Sequence, residues 1–221
     1  MSTTSSYGLS TVPAPSLTRL DPDAPPRGVV LMLHGGRPAS TDPVDARSAS
    51  WRRSAAMQRT IHRRLREAGH ATWLLRFGER GWNGGSRPVV DARWALAEVR
   101  RAHGEVPVVL LGHSMGARTA VHVADDPSVL GVVALAPWFP AQEPVAALAG
   151  RTLLAAHGRG DRITSYRLTA AYVARARRVA LRAELTDMGG VGHYMFRRVG
   201  AWNAFAAGAA LDLLAGRDLG N

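Results

Sequence analysis

A chain of 221 residues with 46% hydrophobic and 20% charged residues suits one domain with a sizeable core, and is too apolar for a disordered or fibrous protein. The absence of cysteine removes disulfides, thiolate metal sites and cysteine nucleophiles. The net charge of +11 comes from 28 arginines against 17 acids, with no lysine. Those arginines are scattered. Their densest group (Arg52, Arg53, Arg59, Arg63, Arg64 and Arg66) has no interleaved aromatic side chains to stack bases. That pattern reads as a solvated basic surface, without a nucleic-acid partner. No apolar run approaches the roughly 18 residues of a membrane span. The Ser/Thr/Pro-rich start lacks the features of a secretion signal. A cytoplasmic protein with no membrane partner is expected.

In chain order, residues 1–27 read as an irregular arm carrying one edge strand, at residues 9–12 or 17–20. A single domain at 28–221 follows. Residues 29–33 are a continuous apolar run and predict a buried strand. A helix over residues 50–68 presents Met57, Ile61, Leu65 and Ala68 on one stripe. Residues 71–77 predict a strand, and a Gly-rich loop at 78–87 leads to a helix that Asp91 would cap, ending near His103. Residues 106–111 predict the next buried strand, followed by a helix at 116–125 and a strand at 129–136. Beyond these come a strand at 152–157, a helix at 165–177, a strand at 179–185 and a helix at 197–214. Apolar strands alternating with amphipathic helices predict a mostly parallel α/β sheet covered on both faces. The interval between residues 136 and 152 carries three prolines and leaves room for one or two helical turns, so no cap domain is expected.

Ligands of such sheets bind beyond the carboxyl ends of the strands. There the sequence Gly112-His113-Ser114-Met115-Gly116 fits the pattern G-x-S-x-G, between a buried strand and a helix, where a sharp turn would expose Ser114 Oγ. A serine hydroxyl needs a base within hydrogen-bond reach, and the base needs an acid to orient it. His193, in the Gly-rich loop after the last strand, is the expected base. Asp161, just past the preceding strand, is the expected acid, preferred over Asp187 in the same loop as the base. Backbone N–H groups would receive the oxyanion: that of Met115, directly after the serine, and one from His34-Gly35-Gly36, with Gly36 preferred and Gly35 in reserve.

His34-Gly-Gly, Gly112-His-Ser-Met-Gly, His157-Gly-x-x-Asp161 and Gly192-His193 together resemble the α/β-hydrolase superfamily. The likeness spans about residues 28–214 and points to a small, lidless, actinobacterial-type serine hydrolase of the esterase or thioesterase kind. It implies an eight-stranded, mostly parallel sheet with Ser114 as nucleophile, Asp161 as acid and His193 as base. The chain departs from the pattern in its short front, and in having Arg162-Ile163-Thr164-Ser165 where a proline often follows the acid. A serine in the elbow argues against dehalogenases and epoxide hydrolases, which use aspartate there. No residue group has metal-ligand spacing, and without lysine Gly112–Gly116 cannot be a phosphate loop. No metal or cofactor is expected. Trp82, Trp138 and Phe139 are candidate pocket walls. Arg37, and with it Arg118, is a candidate for binding a substrate carboxylate. The expected activity is hydrolysis of a carboxylic ester or thioester. An acyltransferase or cyclising thioesterase, or a ligand-binding protein on the same scaffold, is the alternative.

Overall fold

Strand runs of Val, Leu and Ala are apolar at almost every position because helices cover both faces of the sheet they form. The structure, a computed structural model, describes residues 14–216, so the strand considered at residues 9–12 lies outside them. The elements are β1 (Ser16–Leu20), β2 (Gly28–Leu33), α1 (Ala49–Glu67), β3 (His70–Arg76), α2 (Ser86–His103), β4 (Val108–His113), α3 (Met115–His122), β5 (Val129–Leu135), β6 (Thr152–His157), α4 (Tyr166–Ala176), β7 (Arg182–Asp187) and α5 (Val199–Ala215). The strands form one sheet of seven in the order β1-β3-β2-β4-β5-β6-β7. β1 is antiparallel to β3, and every other pairing is parallel. Among the described residues the sheet therefore has seven strands rather than the eight implied by the resemblance, with a single antiparallel strand in front.

Side chains alternate across β2. Val29, Leu31 and Leu33 enter the core layer under α2, α3 and α4, whereas Val30 and Met32 enter the layer under α1 and α5. The expected stripe of α1 is the buried one: Met57, Ile61 and Leu65 pack inward, and all the clustered arginines except the half-buried Arg53 are exposed. Burying one such aliphatic side chain contributes about 1.5–3 kcal/mol.

Several predicted boundaries move, and three of them have a local reason. Helix α2 begins at Ser86, not Asp91. Pro88 fits its first turn, where the missing N–H is no loss, and Asp91 is buried inside the helix, ion-paired to Arg87 and accepting the Gly78 N–H at 2.9 Å. Strand β4 starts two residues late, at Val108, because Pro107 has no N–H for the ladder. The last strand is β7, not residues 179–185. Val179 and Ala180 close the turn after α4 by bonding back to Ala176 O, and Leu181 is exposed. β7 is an edge strand, so its alternating polar sequence suffices.

Between β5 and β6, the connection at residues 137–151 contains one short 3-10 turn, Ala146–Leu148. Among the described residues no cap domain stands over the carboxyl edge of the sheet. No helix among the described residues is long and apolar enough to cross a membrane.

Candidate active site

The turn from β4 into α3 places Ser114 at φ 53° and ψ −115°, a left-handed conformation that a non-glycine residue adopts only under constraint. Gly112 and Gly116 make it possible. A Cβ on Gly116 would lie 2.0 Å from the Leu33 carbonyl oxygen, and one on Gly112 would lie 2.4 Å from Ala117 Cα. The elbow therefore packs backbone against backbone and lifts Ser114 above the sheet.

The three residues expected to act together do meet. Ser114 Oγ lies 2.9 Å from His193 Nε2, and His193 Nδ1 lies 2.8 Å from Asp161 Oδ2. Asp161 is buried. Its Oδ1 accepts the amides of Ile163 and Thr164, and its Oδ2 also accepts the Thr164 hydroxyl at 2.9 Å and His157 Nε2 at 3.0 Å. Burial pushes this carboxyl up, but the hydrogen bonds from His157, His193 and the Thr164 amide outweigh it and hold it well below the usual carboxylate range. A carboxylate facing Nδ1 fixes the tautomer in which Nε2 is free to accept the Ser114 proton. Asp187, the rival acid, is ion-paired to Arg159 and accepts the Gly189 N–H.

Met115 opens α3, so its N–H belongs to the first turn of a helix whose N-terminus favours negative charge. Across from it, the Gly35 carbonyl accepts Ser50 Oγ at 2.7 Å and His34 Nδ1–H at 2.6 Å. Because a peptide is planar and trans, fixing that carbonyl also fixes the opposed N–H of Gly36. Neither the Gly36 nor the Met115 amide donates to another backbone group in a turn, loop or cap of the described residues. Gly36 has no room for a side chain, since a Cβ there would sit 2.4 Å from Met115 Sδ and from the Arg80 carbonyl. A Cβ on Gly35 would lie 3.3 Å from Ser114 Cβ, so this loop passes directly beside the serine.

The expected pocket walls fare differently. Phe139 is corrected to a core residue: it is 2% exposed and stacks on Tyr172 with ring centroids 4.0 Å apart. Trp82 is also buried, edge-on to Trp138. Trp138 is half-buried, and its backbone N–H donates to the Ser114 carbonyl. Arg118 is not available to a substrate. Its guanidinium lies over both indoles, 4.1 Å from the Trp82 ring and 4.6 Å from that of Trp138, and pairs with buried Glu143 at 2.7 Å. Arg37 is exposed beside Gly36.

Four further residues support the site without having been singled out from sequence. His34 holds the Gly35 carbonyl and accepts the Phe77 N–H on Nε2. His113 donates Nε2–H to the His193 carbonyl at 3.1 Å. His157, held by Thr169 Oγ1 at 2.8 Å, donates to Asp161. Thr164 bridges Asp161 and His193 where the family pattern often has proline. Burial pushes His34 down to about 4 and His113 down to about 3, the latter helped by the neighbouring His193, so both stay neutral at ordinary pH. The available signal was a histidine at or just past the carboxyl end of β2, β4 and β6.

A mostly parallel sheet with a serine in a G-x-S-x-G turn after its central strand, and an acid and a histidine past later strands, defines the α/β-hydrolase fold, here without a lid among the described residues. The family model described as serine aminopeptidase, S33, matches residues 66–159, a stretch that includes the elbow and stops short of Asp161. Among solved structures, an alpha-beta serine hydrolase homologue from Coxiella burnetii superposes with a TM-score of 0.68 at 17% identity, covering 88% of this chain and 91% of that one. A lidless α/β serine hydrolase from Xanthomonas campestris gives 0.63 at 19% identity, covering 88% of each chain. Esterase 2 of Thermogutta terrifontis, phosphonylated by cyclosarin, gives 0.67 at 16%, covering 91% of this chain and 89% of that one. No curated protein matches the sequence.

Proposed function

We propose that this chain is a serine hydrolase that cleaves a carboxylic ester or thioester through an acyl-enzyme on Ser114. The observation that carries the reading is the unbroken line Ser114 Oγ, His193, Asp161, at 2.9 and 2.8 Å. In the first half-reaction His193 Nε2 takes the Ser114 proton as Oγ attacks the carbonyl carbon. The oxyanion forms towards the amides of Met115 and Gly36, and each such donor lowers the barrier by about 3–4 kcal/mol. His193, held as an imidazolium by Asp161, then gives its proton to the leaving oxygen or sulfur. In the second half, His193 takes a proton from water, hydroxide adds to the acyl carbon, and Ser114 leaves with the returned proton.

The Thermogutta esterase of this fold is phosphonylated by cyclosarin, which recommends a fluorophosphonate as the probe here. The wild-type protein should be labelled at Ser114, Ser114→Ala should not, and an ester and thioester panel should show turnover by the wild type alone. Absence of labelling would refute the nucleophile. Labelling without turnover on any panel member would favour a ligand-binding protein on this scaffold.

A further inference from the structure

Beside the proposed oxyanion loop lies a crevice of about 350 Å³ whose lining includes Gly35, Gly36, Arg37, Arg47, Arg80 and Tyr194. It adjoins the nucleophile on two sides. Gly35 packs against Ser114, and the ring of Tyr194 lies 5.4 Å from that of His193. The charges in it are unbalanced. Arg80 is bound to Asp45 at 3.1 Å, whereas the guanidinium groups of Arg37 and Arg47 have no hydrogen bond or ion pair among the described residues.

The wall bearing Arg37 is also built rather than loose. Arg37 N–H donates to Arg80 O and Trp82 N–H to Arg37 O, both at 2.8 Å. Ser40 N–H donates to Asn83 Oδ1 at 3.0 Å, and Gly81 N–H to Ser40 O at 2.9 Å. The backbone that carries Arg37 is thus fixed beside the crevice, and only the side chain has to be ordered when an anion binds. The exposed arginines of α1 differ, since none of them lines this crevice. Two unpaired guanidiniums lining one crevice each offer paired N–H donors of the kind that binds the oxygens of a carboxylate or phosphate.

We propose that this crevice is a subsite for an oxyanion carried by the substrate, so that the enzyme prefers acidic esters or thioesters over neutral ones. The proposal rests on the serine-hydrolase reading and adds its substrate class. The anion could be part of the acyl group or of the leaving group, and the substrates separate the two.

The test compares kcat/KM for 4-nitrophenyl acetate, the half-ester mono-4-nitrophenyl succinate, and 3-carboxy-4-nitrophenyl acetate. Wild type at low salt should favour one of the two acidic esters by about tenfold, and which one it is identifies the side. The ratio should fall towards unity in R37Q/R47Q, and also in wild type as ionic strength rises to about 0.5 M, where screening shortens to a few ångströms. Equal or better turnover of the neutral acetate by wild type would overturn the subsite. So would a preference that survives both the double variant and salt. Fluorophosphonate labelling of wild type is run alongside. Labelled Ser114 without an acidic preference sinks this inference alone, and unlabelled Ser114 sinks the nucleophile on which it rests.

Discussion

Acid should destabilise this fold well before its carboxylates titrate. His34 and His113 are fully buried and held neutral, at about 4 and about 3 against an ordinary value of 6.5. In the unfolded chain both take up a proton as pH falls through 6.5, while the folded protein cannot follow until far lower. Their contribution to stability is therefore complete above pH 6.5 and is lost progressively below it, down to the folded values. At pH 5 each histidine costs about 2 kcal/mol, and the pair about 4, relative to pH 8. The limiting slope is about 2.7 kcal/mol per pH unit, two protons' worth, against a total stability of about 5–15 kcal/mol for a domain. His62 is pushed down too, by burial and by Arg66, and adds in the same sense. Asp91 runs the other way, since burial raises its carboxyl. Asp161, held low, matters only below its unfolded value near 3.9. Urea unfolding at pH 8, 6.5 and 5 and constant ionic strength measures the loss. His113→Gln, which keeps a donor for the His193 carbonyl but does not titrate, should remove about one proton from the slope. A stability unchanged between pH 8 and pH 5 would refute the reasoning.

Alanine at Ser114 or His193 should each lower kcat by about a thousandfold or more, and the double variant should lose little beyond that, because the two act as one unit; multiplicative losses in steady-state kinetics would break the assignment. Asp161→Asn should fold normally and lose about 10⁴-fold in kcat through the wrong imidazole tautomer. Asp187→Asn should stay within about twofold of wild type, its partners being Arg159 and Gly189. Gly116→Ala forces a Cβ to within 2.0 Å of the Leu33 carbonyl, so thermal melts should show a loss of at least about 3 kcal/mol, and a melt like that of wild type would contradict the close packing of the elbow. With no cap over the site and Phe139 turned into the core, kcat/KM on aryl esters should peak at about two to four acyl carbons, as an uncovered CH₂ gains none of the usual 0.8 kcal/mol; a preference for chains of about ten carbons would show a hidden wall.

What was legible in the sequence followed from burial on both faces. β2, β4 and β6 are apolar at almost every position, so they stood out, and the residues just past their ends contained Gly35 and Gly36, the Ser114 turn and Asp161, which the structure brings together. β7 was misplaced because an edge strand needs no continuous apolar run, while the apolar Val179-Ala180-Leu181 beside it is a turn. Phe139 and Arg118 were misread for one common reason. Phe139 stacks on Tyr172 and Arg118 pairs with Glu143, and neither partner's nearness can be seen along the chain.

The overlooked histidines carry the last step. His34, His113 and His157 stand at or just past the ends of β2, β4 and β6, and each holds one part of the proposed machinery: the Gly35–Gly36 peptide, the backbone of His193, and the carboxylate of Asp161. An imidazole suits this work because its neutral form offers one donor and one acceptor on a rigid ring. His34 uses both, giving Nδ1–H to Gly35 and taking the Phe77 amide on Nε2, so a proton added to Nε2 would break one of the two bonds. Burial that keeps His34 and His113 neutral thus preserves the geometry near neutral pH, and the same burial is expected to cost the fold stability in acid. The expected loss of stability below pH 6.5 and the alignment of the proposed catalytic line have one physical origin.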